Sequence, residues 1–177
     1  RKLYILLSMI LWATLTHAET FVQQHIPHAK VASSARYSVL IFDVYDATFY
    51  TVSGKPEVKP PFALQLAYLR DFKGVDIADR SAEEMRDQQG VDEVTLADWH
   101  EQMKNIFPDF TEGESITGIY QAKAECDFYK NKVFIGKVAD DGFCHAFFDI
   151  WFGENTSAPK LRKKLLSQKT QSIRKIE

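Results

Sequence analysis

The chain has 177 residues, 45% of them hydrophobic and 13% aromatic, with 22 basic against 24 acidic side chains. Those values describe one globular domain with enough apolar surface for a core. A net charge of −2 and the lack of a basic stripe give no footing for nucleic-acid binding.

The first eighteen residues have the layout of a secretory signal peptide. Arg1 and Lys2 form a short positive region, Leu3–Leu15 is apolar apart from Ser8 and Thr14, and Thr16-His17-Ala18 sets cleavage after Ala18. The apolar run falls short of the about 20 residues a transmembrane helix needs, although a retained N-terminal anchor is the alternative. No later segment could span a membrane. The expected mature chain is therefore periplasmic or secreted, with 20 basic against 24 acidic side chains and a net charge of −4.

Residues 19–33 form an N-terminal segment short of periodicity, expected to make an edge strand around Phe21–Ile26 or to stay loose. Ala35–Tyr50 (ARYSVLIFDVYDATFY) has no Gly, Pro or Asn and is rich in β-branched and aromatic residues, so it reads as strand. It is too long for one ordinary strand, and is either two strands or one broken by a bulge. Thr51–Pro61 is a loop, and Phe62–Phe72 a strand with Phe62, Leu64, Leu66 and Tyr68 on one face. A helix is predicted over Ile77–Gln89. A second is capped by Asp92 and runs to Phe107, with Leu96, Trp99, Met103 and Phe107 on its buried face.

Three short strands follow, Ser115–Tyr120, Cys126–Lys130 and Lys132–Val138, with a turn near Asn131. Asp140 or Asp141 caps a largely buried helix to Gly153, and Thr156 or Ser157 a last helix over Pro159–Ser167. The tail, residues 168–177, is polar. This order of elements implies an α+β fold with helices packed on an antiparallel sheet.

The chemistry is sparse. No GxSxG, Gly-rich phosphate loop or HExxH occurs, so no cofactor is implied. His25, His28, His100 and His145 are isolated, which argues against a metal site. Two cysteines, Cys126 and Cys144, give no diagnostic framework, and their pairing stays open. The neighbouring acids Glu83–Glu84 and Asp140–Asp141 read as solvated surface. Arg36 and Tyr45 remain. A guanidinium fork and a phenol beside an apolar cleft would suit a carboxylate. Alternatively, Arg36 pairs with Asp43 or Asp46 while the Tyr45 ring packs in the core.

The ordered run of Arg36, Phe42-Asp43-Val44-Tyr45-Asp46-Ala47-Thr48-Phe49-Tyr50 and Tyr68-Leu69-Arg70-Asp71 resembles the chalcone isomerase-like family. So do Phe110-Thr111-Glu112-Gly113, Asn131 to Val138, Phe147 to Gly153 and Ser157 to Leu166. The resemblance spans about residues 34–167 and implies an open-faced β-sandwich, an antiparallel sheet with helices on one face. It also implies one of two functions. Plant enzymes of the family close chalcones with an Arg and a Thr. Related plastid proteins bind fatty acids, with that Arg and a Tyr on the carboxylate, and Arg36 and Tyr45 resemble this second pattern. Nine residues apart, however, the two point to opposite faces of an unbroken strand; a bulge near Phe42–Asp43 would bring them together.

The leading expectation is a non-catalytic protein binding a fatty acid or similar small amphipathic carboxylate. Arg36 and Tyr45 would hold the head, and Phe42, Tyr68, Phe147 and Trp151 would wall the tail. The alternatives are an isomerase or lyase acting on an α,β-unsaturated ketone by enolate stabilisation, with Arg36 as its electrostatic element, and an envelope interaction protein without a ligand.

Overall fold

The alternating apolar pattern of the strands builds one six-stranded antiparallel sheet in which order across the sheet equals order along the chain. The structure, a computed structural model, describes residues 18–88 and 90–167. The strands are β1 (Lys30–Val39), β2 (Phe42–Thr51), β3 (Phe62–Tyr68), β4 (Ser115–Tyr120), β5 (Cys126–Lys130) and β6 (Val133–Val138). One face lies under α2 (Gly74–Arg86), α3 (Glu93–Ile106), α4 (Asp141–Phe152) and α5 (Pro159–Leu165). This is the expected α+β open-faced sandwich. Among the described residues, no helix is long and apolar enough to cross a membrane. All of the expected signal peptide except Ala18, and the whole polar tail, lie outside the described residues.

The long apolar run is two strands. Leu40 and Ile41 form a two-residue turn between Val39 and Phe42, which pair. A bulge is present as well: Tyr37 pairs with Tyr45 and Ser38 with Asp43, leaving Val44 as the extra residue of β2. Beyond it, Tyr45, Ala47 and Phe49 face the helices together with Leu64, Leu66 and Tyr68 of β3, while Tyr50 and Ala63 turn away.

Residues 18–25 form a helix, α1, where the sequence suggested an edge strand or a loose segment. Phe21, Val22 and Ile26 are not spaced for alternation; they suit one side of a helix and its exit. They bury against Tyr50, Ala63, Ile119 and Tyr129 on the back of the sheet. Strand β1 likewise begins at Lys30, inside the segment that reads as irregular.

The helices follow their caps. Asp92 accepts from the backbone N–H of Val94 and Thr95 and opens α3, which buries Leu96, Trp99 and Met103. α2 starts at Gly74, three residues before its expected start, because the chain must pass close to α3's end: a Cβ on Gly74 would lie 2.0 Å from the Phe107 carbonyl oxygen. α5 has no side-chain cap; Thr156 instead accepts from the Ala158 N–H within the preceding turn. The turn before β6 uses Asn131 and Lys132, both at positive φ.

Asp140 caps α4, accepting from the Phe143 N–H at 3.2 Å, and its other oxygen accepts from the Trp99 indole at 3.0 Å. It thereby ties α3 to α4. Asp140→Ala removes both bonds and strands a buried indole donor, so the unfolding free energy should fall by about 2 kcal/mol in urea denaturation. Cys126 of β5 and Cys144 of α4 form a disulfide, settling the pairing that the sequence left open.

Candidate functional site

Toward the end of the sheet where β1 turns into β2, the helix-facing side chains are Tyr37, Tyr45, Leu66, Tyr68 and Ile116. They form the floor of a cavity of about 400 Å³. α4 supplies Phe147, Ile150 and Trp151 as one wall, and α2 supplies Ile77, Arg80, Ser81 and Glu84 as another. That volume lies in the range of small-molecule sites, and the lining is mostly apolar with a few polar groups, as such sites are.

Three polar features matter. The Trp151 indole donates to the Tyr45 hydroxyl at 3.0 Å, so the hydroxyl's own proton is left to donate elsewhere. The Tyr68 hydroxyl has no hydrogen-bond partner among the described residues. Burial pushes both phenols above their usual pKa, which keeps them protonated donors at neutral pH. At the rim, the Glu84 carboxylate is buried and accepts from the Ser157 hydroxyl at 2.6 Å and from Arg80, whose guanidinium also reaches Glu83 at 3.3 Å.

The structure separates Arg36 from this cavity. Arg36 pairs with Asp46 in the register and Tyr37 with Tyr45, so Arg36 and Tyr45 lie on opposite faces. The guanidinium clamps Asp46 through two bonds of 2.7 and 2.9 Å and reaches Asp43 at 2.9 Å. Ser38 and Arg36 together hold the Asp43 carboxyl below its ordinary pKa. The bulge is present but works in the other direction from the one a shared clamp requires. It turns Asp43 to the Arg36 side and leaves Val44 and Tyr45 both lining the cavity. Phe42 is also outside, half exposed at the hairpin end with the Arg70 guanidinium 5.0 Å from its ring centre. Tyr45, Tyr68, Phe147 and Trp151 do come together on the cavity.

The sequence reading missed Tyr37, Arg80, Glu84 and Ser157. Glu84, taken as solvated surface, is buried, while its neighbour Glu83 is exposed. The signal was there in the helical spacing: Ile77, Ser81 and Glu84 fall three or four residues apart and share one side of α2. Among the described residues, no three His, Cys, Asp or Glu side chains gather in a way that could hold a metal ion.

A sequence profile described as chalcone isomerase-like matches residues 32–167, which take in nearly the whole sheet and the helices that cover it. The chain belongs to the chalcone isomerase-like family. Among solved structures it is similar to the fatty-acid binding protein AtFAP1 of Arabidopsis thaliana, with a TM-score of 0.59 and 13% sequence identity. That match covers 79% of this chain and 87% of the other, and at such identity it is a likeness of fold. No curated protein sequence matches the chain significantly.

Proposed function

We propose that the protein binds a fatty acid or a similar small amphipathic acid in this cavity without transforming it. The observation that carries the reading is an apolar cavity of about 400 Å³ into which two phenols, Tyr45 and Tyr68, can each offer a proton. A carboxyl oxygen meets those donors while an alkyl tail covers Leu66, Ile116, Phe147 and Ile150. Donors shielded from water hold an acceptor more strongly than they would in solvent. The fatty-acid binding of AtFAP1, a protein of similar fold, supports the same ligand class. Arg36 takes no part in this arrangement, since its guanidinium is committed to Asp43 and Asp46 on the far face. The nearest cation at the rim is Arg80. An exported location fits the buried disulfide, because such bonds persist in oxidising compartments.

Laurate titrated against the protein, followed by calorimetry and by the fluorescence of Trp151, tests this. Saturable binding is expected. Tyr45→Phe with Tyr68→Phe should weaken it about tenfold, the loss of two hydrogen bonds at the low end of their net worth. Leu66→Trp, which fills the cavity, should abolish it. The reading fails if no medium- or long-chain acid binds. It fails equally if binding survives these changes and is lost in Arg36→Ala, because the ligand would then sit on the opposite face.

A further inference from the structure

The hairpin joining β1 to β2 ends in four successive apolar residues. Val39, Leu40, Ile41 and Phe42 are exposed to 46%, 92%, 88% and 51%. Two-residue turns favour Asn, Asp and Gly, which enter left-handed backbone at least cost. Here Leu40 carries a φ of 55°. The chain thus places a strained residue and two large wet side chains where Asn-Gly would relieve both penalties.

The base of this tip is electrically quiet. Arg36 with Asp43 and Asp46 leaves one net negative charge, and Arg70, whose guanidinium lies over the Phe42 ring, offsets it. Just below the tip, Tyr37 and Val44 line the cavity. The apolar tip and the apolar cavity are therefore neighbours at one end of the sheet.

We propose that the tip, residues 39–42, enters the interfacial layer of a lipid bilayer and seats this end of the cavity against the membrane. Four side chains on a convex turn fall far short of the roughly 1,200 Å² that a stable protein interface buries. A convex tip also needs a matching hole in a protein partner, whereas acyl chains adapt to any small apolar projection. Arg70, its guanidinium over the Phe42 ring, would then stand at the depth of the headgroups. That a ligand passes between bilayer and cavity rests on the fatty-acid reading above; the docking itself does not.

The experiment is co-sedimentation with phosphatidylcholine vesicles, with and without phosphatidylglycerol, against the double variant Leu40→Asn/Ile41→Gly. Asn tolerates the positive φ at position 40 and Gly accepts any backbone at 41, so loss of folding is not a confounder. The unchanged chain should pellet with both vesicle types, and the variant's partitioning should drop by about tenfold or more. Its laurate affinity in vesicle-free buffer should stay within about twofold, since the turn does not line the cavity. The proposal is overturned if the unchanged chain stays in the supernatant, or if the variant pellets equally well. Self-association in sedimentation velocity that the variant loses, without vesicle binding, would make the tip a protein contact and also overturn it. Laurate failing to bind either protein would remove the cavity reading alone.

Discussion

Phe62→Ala should lower the unfolding free energy by about 4 kcal/mol, measured by urea denaturation with the disulfide intact. Phe62 opens β3, is fully buried, and sits at the centre of an aromatic cluster. Its ring centre lies 5.5 Å from Phe49, 5.5 Å from Tyr120, 4.9 Å from Phe148 and 5.8 Å from Phe152, mostly edge to face. Three strands and α4 therefore share one side chain, and truncation leaves a gap that none of them can close alone. Phe62→Leu keeps most of the volume and should cost about 1 kcal/mol. The site lies toward the other end of the sheet, so the folded fraction of Phe62→Ala should bind laurate normally. A loss below about 1 kcal/mol for Phe62→Ala would mean that the helix layer settles onto the sheet without this cluster.

Replacing both Cys126 and Cys144 by Ala should destabilise the protein by about 3 kcal/mol. The bond joins positions 18 residues apart, and an open chain of that length regains the closure entropy that the cross-link removes. Alanine adds no buried polar group, so the cost reports the cross-link and a small loss of packing. The bond also bears on the site. It fastens α4 to β5, and α4 brings Phe147, Ile150 and Trp151 to the cavity wall. Laurate affinity in the double variant should therefore fall together with stability, unlike in Phe62→Ala. An unchanged urea midpoint would show that the packing of Phe143, Phe147 and Phe148 fixes α4 without the bond.

Most of the architecture was legible because its signals are local. Asp92 and Asp140 announce their helices by the side-chain oxygen they offer to backbone N–H groups. Phe62, Leu64, Leu66 and Tyr68 announce a strand face by alternation, and Asn131 marks a turn by its tolerance of positive φ. The site was harder to read because its composition depends on parity and on pairing across the sheet. Arg36 and Tyr45 are both in strands and close in space, yet facing is decided by which residue the bulge leaves unpaired. Placing the extra residue at Val44 hands Asp43 to Arg36, a distinction that spacing alone does not make. The Leu40–Ile41 turn was hidden for a related reason, since it lacks the Gly, Asn or Asp by which hairpins are recognised. Glu84 was misread because adjacent acids look alike in sequence, while a helix sends them to different sides.

The meander order of the sheet carries a consequence for assembly. Each strand pairs with the one made just before it, so the sheet can lengthen from one edge as the chain is synthesised, without inserting a late strand between two earlier ones. The long detour through α2 and α3 between β3 and β4 is the exception, and it asks for the largest loop closure between consecutive strands. Until β4 arrives, the outer edge of β3 is unpaired and open to other chains. The half-built sheet is thus most vulnerable to misassociation at β3, and aggregation during refolding should begin from that edge rather than from the completed β5–β6 hairpin.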